Sequence, residues 1–288
     1  MVVSPDTAFA AAVLDWSDRH GRKDLPWKQP PYPYRVWVSE IMLQQTRVQT
    51  VLGYFQRFMD RFPDVVSLAD APLDEVLTLW SGLGYYARGR NLHAAARRIR
   101  DQHGGVFPQH MDALQALPGI GRSTAGAIAA QAFGQRQAIL DGNVKRLLAR
   151  HDLVEGWPGE GRVQKRLWAL AEQRTPRQRV ADYTQGVMDL GAIVCTRGKP
   201  LCDMCPLQAG CLAKAAKRIQ YLPMHSIAIP NPIAGFVQCH QARAGPQTKM
   251  AEGVCDPIQS GRFACVPAQP PQAPILGGFP RIQFRKRP

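Results

Sequence analysis

Four cysteines lie within 17 residues, and this cluster constrains the fold more than any other feature of the sequence. Their spacing is Cys195-x6-Cys202-x2-Cys205-x5-Cys211. Thiolates at this density are typical of a zinc site or an iron–sulfur cluster, and the ligand type alone does not distinguish the two. The pattern indicates a reducing compartment and not a secreted disulfide framework, so we expect a cytoplasmic protein.

Most of the chain before residue 221 has apolar residues at helical spacing. Val51, Phe55 and Phe58, for example, fall on one stripe of a helix. Further helices are predicted over about 142–151, 162–173 and 179–193. Because no alternating strand pattern is evident, the sequence predicts an all-α fold over residues 1–221.

Residues 222–288 have a different composition. They contain 11 of the 24 prolines in 67 positions, and apolar residues show no sustained period there. Such a segment cannot be assigned regular secondary structure from its pattern. We therefore expect a Pro-rich irregular tail.

The charge balance favours a polyanionic partner. The chain has 36 Lys and Arg against 22 Asp and Glu, a formal net charge of +14. Nucleic acid is the first candidate for such a surface, although a basic soluble enzyme remains an alternative. The sequence has no apolar run of the length, about 18 residues, that a membrane span needs, and no secretory signal at its start.

Residues 117–128 read LPGIGRSTAGAI between two predicted helices. Gly119 and Gly121 permit a tight turn whose free N–H groups point outward at the start of the next helix, while Ile120 anchors the turn inward. This arrangement is a helix-hairpin-helix, which binds DNA phosphates without reading sequence. The alternative is an ordinary turn between two helices.

Two carboxylates stand out by their surroundings. Glu40 lies among apolar residues, and burial would raise the pKa of its carboxyl group towards neutrality. Asp141 follows the apolar pair Ile139-Leu140 and precedes a predicted helix, where Asp commonly serves as an N-cap. Two carboxyl groups in different environments can divide into a proton donor and a stabiliser of positive charge. A surface Glu40 and a purely capping Asp141 are the alternatives.

Glu40, the hairpin with Asp141, and the 6-2-5 cysteine spacing occur in this order along the chain, and together they resemble the endonuclease III superfamily of DNA glycosylases. Within it, the sequence most resembles the adenine DNA glycosylase, or MutY, family. The resemblance runs from about Leu14 to Cys211. Its most specific stretches are residues 25–27, 39–46, 82–88, 117–128, 139–146, 183–196 and the cysteine loop.

The resemblance implies a two-lobed helix-hairpin-helix fold and a [4Fe–4S] cluster. One six-helix lobe would span about residues 30–140, and the second would combine the N-terminal segment with about residues 141–221. The cluster loop, 195–211, would bind the iron through its four cysteines. The implied partner is double-stranded DNA with an adenine mismatch. We expect the protein to be a monomer and to have no membrane partner.

The resemblance also implies the chemistry. A mispaired adenine is flipped out of the duplex, because its glycosidic bond cannot be reached inside the stack. Glu40 would protonate the adenine at N7, and Asp141 would stabilise the sugar cation or trap it, with Asn143 orienting the site. The residues implied in substrate binding are Arg22, Leu25, Trp27, Gln45, Tyr85 and Gln185, of which Gln45 and Tyr85 would wedge into the duplex. Those implied in contacts to the DNA backbone are Gly119, Gly121, Ser123 and Lys145.

One position predicts what the enzyme does after base removal. Relatives that also nick the strand have a lysine two residues after the second glycine of the hairpin, and this position is Ser123 here. Serine cannot form a Schiff base, so we expect a monofunctional glycosylase without efficient lyase activity.

One expectation concerns a departure of residues 222–288 from the family. Full-length members continue into a domain related to Nudix hydrolases that recognises 8-oxoguanine, and residues 222–288 are too short and lack the strands for it. We therefore expect a reduced preference for adenine opposite 8-oxoguanine over adenine opposite guanine. The alternative functions are another glycosylase of the same superfamily, which acts on thymine in T·G mismatches or on oxidised pyrimidines, and a non-catalytic DNA-binding module. Ser123 disfavours the oxidised pyrimidines.

Overall fold

The computed structural model describes residues 5–28 and 30–223, which are helical and contain no β-strand. This confirms the predicted all-α class. The helices are α1 (Pro5–His20), α2 (Pro33–Leu43), α3 (Val48–Arg61), α4 (Val65–Asp70), α5 (Leu73–Trp80), α6 (Ala87–His103), α7 (Met111–Gln115), α8 (Arg122–Phe133), α9 (Gly142–His151), α10 (Gly161–Arg174), α11 (Val180–Asp189) and α12 (Leu212–Ala215). A π-helical turn covers Leu190–Val194, and 3₁₀ turns cover Cys202–Met204, Gln208–Gly210 and Ile219–Tyr221.

Local sequence determines several helix ends. Asp141 begins α9, because its side chain accepts a hydrogen bond from the Val144 N–H at 2.8 Å. Helices α6 and α8 each end at a glycine in the left-handed region, Gly104 at φ 60° and Gly134 at φ 64°. Glycine adopts this conformation without the steric cost that other residues incur.

Two hydrophobic clusters form the core of the described residues. The first is built mainly by α2 to α8, and its buried aromatic side chains include Trp27, Trp37, Phe55, Phe58 and Trp80. The second is built mainly by α1 and α9 to α11, and it includes Val13, Leu147, Leu167, Val187 and Leu190. Because α1 packs against α11, the N-terminal helix and a helix from the last third of the described chain meet in the second cluster.

The predictions about chain organisation are tested only in part. All but the first two residues of the predicted tail, 222–288, lie outside the described residues, and the predicted lobe boundaries stay predictions. None of the described helices has both the length and the apolar character that a membrane crossing requires.

Candidate active site

A cavity of about 530 Å³ opens between the two hydrophobic clusters. Both carboxylates predicted from the sequence line it: Glu40 from α2 and Asp141 from the start of α9. The other residues along its walls are Arg22, Leu25, Trp27, Leu43, Gln44, Thr46, Arg47, Val48, Ser123, Thr124, Ala127, Ile139, Asn143, Gln185, Met188 and Ala192. A volume between about 300 and 1,000 Å³ is usual for a small-molecule site, so the cavity has room for a ligand of that class.

Glu40 lies in the last turn of α2, where its neighbours Ser39 and Ile41 are buried. Burial raises the pKa of Glu40 from its ordinary value of 4.5 to about 7. Gln131 opposes this by donating a hydrogen bond from Nε2 to Oε1 at 3.0 Å, and the charge of Asp141 adds to the rise. A carboxyl group with this pKa is half protonated near neutral pH, as a general acid needs to be.

Asp141 combines two functions in one side chain. Its Oδ1 caps α9, while its Oδ2 accepts a hydrogen bond from Asn143 Nδ2 at 3.3 Å. Burial raises the pKa of Asp141, and the N–H groups of Val144 and Asn143 and the charge of Arg146 oppose that rise. These donors favour the ionised form of Asp141. The same carboxylate therefore caps the start of α9 and lines the cavity.

Asn143 is held from both ends of its amide. Nδ2 donates to Asp141, and Oδ1 accepts a hydrogen bond from Arg146 Nη2 at 2.8 Å. The backbone at Gly191 lies so close that a Cβ atom there would be 2.8 Å from Asn143 Cβ. Only glycine permits this approach, and it fixes where Asn143 lies.

A buried aspartate that the sequence analysis missed organises one wall of the cavity, because it binds two residues that line it. Asp189 is fully buried, and it accepts hydrogen bonds from the Arg22 guanidinium at 2.5 and 2.9 Å and from the Arg22 main-chain N–H at 2.9 Å. Gln185 Nε2 also donates to it, at 2.7 Å. Leu25 and Trp27, both buried, complete this wall. An acidic residue inside the apolar run from Val187 to Leu190 was the signal that could have found Asp189.

Gln45 and Tyr85 do not line the cavity, and they share an unusual backbone conformation. Their φ angles are 58° and 47°, in the left-handed region, and Tyr85 is 64% exposed. Arg88 joins the two turns, because its guanidinium donates to the carbonyl of Gln44 at 2.6 Å and to that of Leu83 at 3.0 Å. Arg88 is a second residue that the sequence analysis missed.

The hairpin forms as the glycine spacing predicts. Gly119 has φ +78°, Ile120 is buried, and Gly121 directly precedes α8. The Oγ of Ser123 accepts a hydrogen bond from the Leu140 N–H at 2.9 Å, and Ser123 lines the cavity. Lys145 is partly exposed on α9. The roles predicted for these residues stay predictions.

The four cysteines of the loop line one small cavity. Arg150 crosses it, with Nη1 at 3.5 Å from Cys195 Sγ and its carbonyl at 3.7 Å from Cys211 Sγ. Burial raises the pKa of Cys205 to about 11 and also raises that of Cys211. Across residues 5–28 and 30–223, no three His, Cys, Asp or Glu side chains are grouped so that they could hold a single metal ion.

Comparison with known proteins identifies the family. A profile of HhH-GPD superfamily base excision DNA repair proteins matches residues 38–189, just over half of the chain. The chain belongs to this superfamily, in agreement with its hairpin and its helical fold.

Curated relatives of the chain are adenine DNA glycosylases, which confirms the predicted resemblance. The protein of Buchnera aphidicola subsp. Acyrthosiphon pisum is 43% identical over 80% of this chain and 66% of its own length. The Homo sapiens protein is 38% identical over 99% of this chain and 51% of its own, and the Mus musculus protein is 45% identical over 76% and 44%. The chain thus spans less than two thirds of these relatives' lengths.

Solved structures confirm the fold. A thermostable thymine-DNA glycosylase superposes with a TM-score of 0.65 at 28% identity, over 73% of this chain and 97% of that one. A non-covalent complex of endonuclease III with DNA gives a TM-score of 0.62 at 19% identity, over 75% and 99%, which shows the fold alone.

Proposed function

We propose that the protein is a DNA glycosylase that hydrolyses the N-glycosidic bond of adenine mispaired with guanine or 8-oxoguanine. The observation that carries this proposal is the shared cavity of Glu40 and Asp141, in which Glu40 has a pKa of about 7. The similarity to adenine DNA glycosylases supports adenine as the nucleobase that is removed.

The reaction begins with a proton transfer. Adenine leaves poorly as an anion, so Glu40 protonates it at N7 and lets it depart as a neutral base. The extruded nucleotide occupies the cavity, with Leu25 and Trp27 beside the base and Arg22 and Gln185 on the wall that Asp189 organises. Extrusion favours a mispaired base because less pairing energy is lost.

Departure of the base leaves a positive sugar. Asp141, ionised, stabilises that oxocarbenium-like centre or traps it covalently before water attacks the anomeric carbon. Asn143 orients the site through its hydrogen bonds to Asp141 and Arg146. The fixed geometry means that little reorganisation is needed when the charge develops.

The reaction stops at base removal. Ser123 supplies no amine for a Schiff base, and its hydroxyl is already hydrogen bonded to the Leu140 N–H. We therefore assign a monofunctional activity. Strand breaks in the product would appear only after treatment with alkali.

We assign the DNA contacts to the hairpin and to the two turns that contain Gln45 and Tyr85. The N–H groups near Gly119 and Gly121 bind backbone phosphate, with Lys145 adding positive charge. Gln45 and Tyr85 enter the duplex beside the extruded base. The backbone conformation of both residues and the exposure of Tyr85 support this role.

The four cysteines are proposed to hold a [4Fe–4S] cluster. They line a common cavity, and four cysteine thiolates are the usual ligand set of such a cluster. When bound, the cluster would cross-link the loop 195–211 and supply a redox-active group. Arg150 would donate a hydrogen bond to one ligand, the Cys195 sulfur.

Single-turnover assays on duplexes with A·8-oxoG, A·G and T·G pairs test the proposal, with and without alkaline strand cleavage. We expect base release from both adenine pairs, and strand breaks only after alkali. Glu40→Gln should abolish release while DNA binding, measured by mobility shift, persists. Release from T·G alone would favour a thymine glycosylase, since one structural relative has that activity. Unchanged release by Glu40→Gln would remove the acid assignment.

A further inference from the structure

Gln131 is the one polar side chain between Ala125 and Phe133 of α8. It points at Glu40, donating from Nε2 to Oε1 at 3.0 Å, while Oε2 has no hydrogen-bond partner among residues 5–28 and 30–223. We propose that Gln131 is a positioning residue that directs the acidic proton of Glu40 to Oε2, the oxygen left free for the substrate. This inference rests on the proposed function.

The chemistry of the contact assigns the proton. A protonated carboxyl group has one carbonyl oxygen and one hydroxyl oxygen, and the carbonyl is the better acceptor for an amide N–H. The bond from Gln131 therefore makes Oε1 the carbonyl and leaves the hydroxyl at Oε2. Because Glu40 lines the cavity, this arrangement presents the proton to a bound base.

Packing holds both partners in place. Helices α2 and α8 pack against one another along their lengths, and residues 125–130 of α8 are all buried. The side chain of Gln131 is itself partly buried. A lone amide on an otherwise apolar helix face has few other groups to bond, so the contact with Glu40 is well determined.

The charged groups around Glu40 are few. Asp141 faces it from the start of α9 and raises its pKa. Arg47 and Arg22 line the same cavity, from the start of α3 and from the segment after α1, and Arg88 of α6 donates to the main-chain carbonyls that end α2. Gln131 is the neutral donor that acts directly on the carboxyl group, and it lowers the pKa that burial has raised.

A positioning role and a merely structural role differ in the pH profile. If Gln131 only stabilises the fold, then replacing it changes thermal stability and leaves the excision rate of the fully protonated enzyme unchanged. If it positions the acid, then its loss removes a donor to the carboxylate, which raises the pKa of Glu40. The proton can then also sit on either oxygen, which lowers the rate when the acid is fully protonated.

The test is the variant Gln131→Met, whose side chain has similar length and no amide. The matched control is Gln135→Met, the same change in the turn after α8, where the main chain but not the side chain bonds to α8. Single-turnover excision from an A·G duplex is measured from about pH 5 to pH 9. We expect the alkaline limb of Gln131→Met to move up by about one pH unit, and its low-pH plateau to fall by roughly two- to tenfold. The control should match the unmodified protein.

A direct titration separates this inference from the proposed function. The pKa of Glu40 can be measured by ¹³C NMR of labelled glutamate, with Glu40→Gln identifying the signal. A pKa of Glu40 that rises in Gln131→Met supports the inference even if the protein releases no adenine. A lack of adenine release by the unmodified protein would contradict the proposed function instead. If the pKa and the profile of Gln131→Met match those of the unmodified protein, the inference is overturned. Gln131→Leu repeats the measurement should the methionine variant fail to fold.

Discussion

Replacing the proposed acid should stabilise the fold at alkaline pH. Burial raises the pKa of Glu40 from 4.5 to about 7, so the folded state holds this proton more tightly than the unfolded chain does. The resulting stabilisation is complete below the unfolded pKa and is lost as the pH rises through the folded pKa. Glu40→Gln cannot ionise and keeps its free energy of unfolding where the unmodified protein loses it. Between about pH 5 and about pH 8, the two pKa values give a relative change of about 2–3 kcal/mol.

The assay is urea unfolding followed by tryptophan fluorescence, with both proteins compared at the two pH values. Comparing them cancels every other titrating group, because only residue 40 differs. We expect the free energy of unfolding of Glu40→Gln to gain about 2–3 kcal/mol relative to the unmodified protein on going from the lower pH to the higher. A difference that stays constant with pH would show that the carboxyl group of Glu40 has an ordinary pKa, and the argument for a general acid would fail.

Substitutions at three further positions test the surroundings of the site. Asp141→Asn keeps an N-cap of comparable strength but removes the charge, so excision should fall by about 10²- to 10⁴-fold with little change in thermal stability. Asp141→Ala should lower the free energy of unfolding by about 1 kcal/mol as well. Equal activity of the asparagine variant and the unmodified protein would contradict the charge-stabilising role. Gly191→Ala places a Cβ 2.8 Å from Asn143 Cβ and should slow excision at least about tenfold, while Gly161→Ala, which has open space around it at the start of α10, should not; similar rates for both would refute the packing argument. In Arg88→Lys, a single ammonium group cannot reach the carbonyls of both turns as the guanidinium does. The free energy of unfolding should fall by about 2–4 kcal/mol, which thermal unfolding measures. An unchanged melting temperature would show that these bonds contribute little.

Local patterns predicted the parts of the site that lie within one stretch of sequence. Asp141 before an apolar-periodic helix is an N-cap because the side chain and the free N–H groups are neighbours in the chain. The glycines of the hairpin are equally local, since Gly119 needs its positive φ whatever packs around it. Glu40 could be recognised because its sequence neighbours are apolar, and their burial follows from helical periodicity.

Long-range contacts account for what the sequence did not reveal. Gln131 lies 91 residues from Glu40, and Asp189 lies 167 residues from Arg22, so nothing local indicates that they meet. Arg88 has an ordinary position on a polar helix, and its bonds to the Gln44 carbonyl depend on how α2 and α6 pack. The inward hydrogen bond of Ser123 was unexpected for the same reason, because its partner Leu140 belongs to another segment.

The most direct test of the account is the pH dependence of single-turnover adenine excision by the unmodified protein. A protonated Glu40 and an ionised Asp141 must coexist for the reaction, so the rate should follow a bell whose alkaline limb falls with a pKa of about 7. The acidic limb should report the protonation of Asp141. A rate that stays constant or rises from about pH 6 to pH 9, with DNA binding intact, would contradict the central claim that Glu40 delivers the proton.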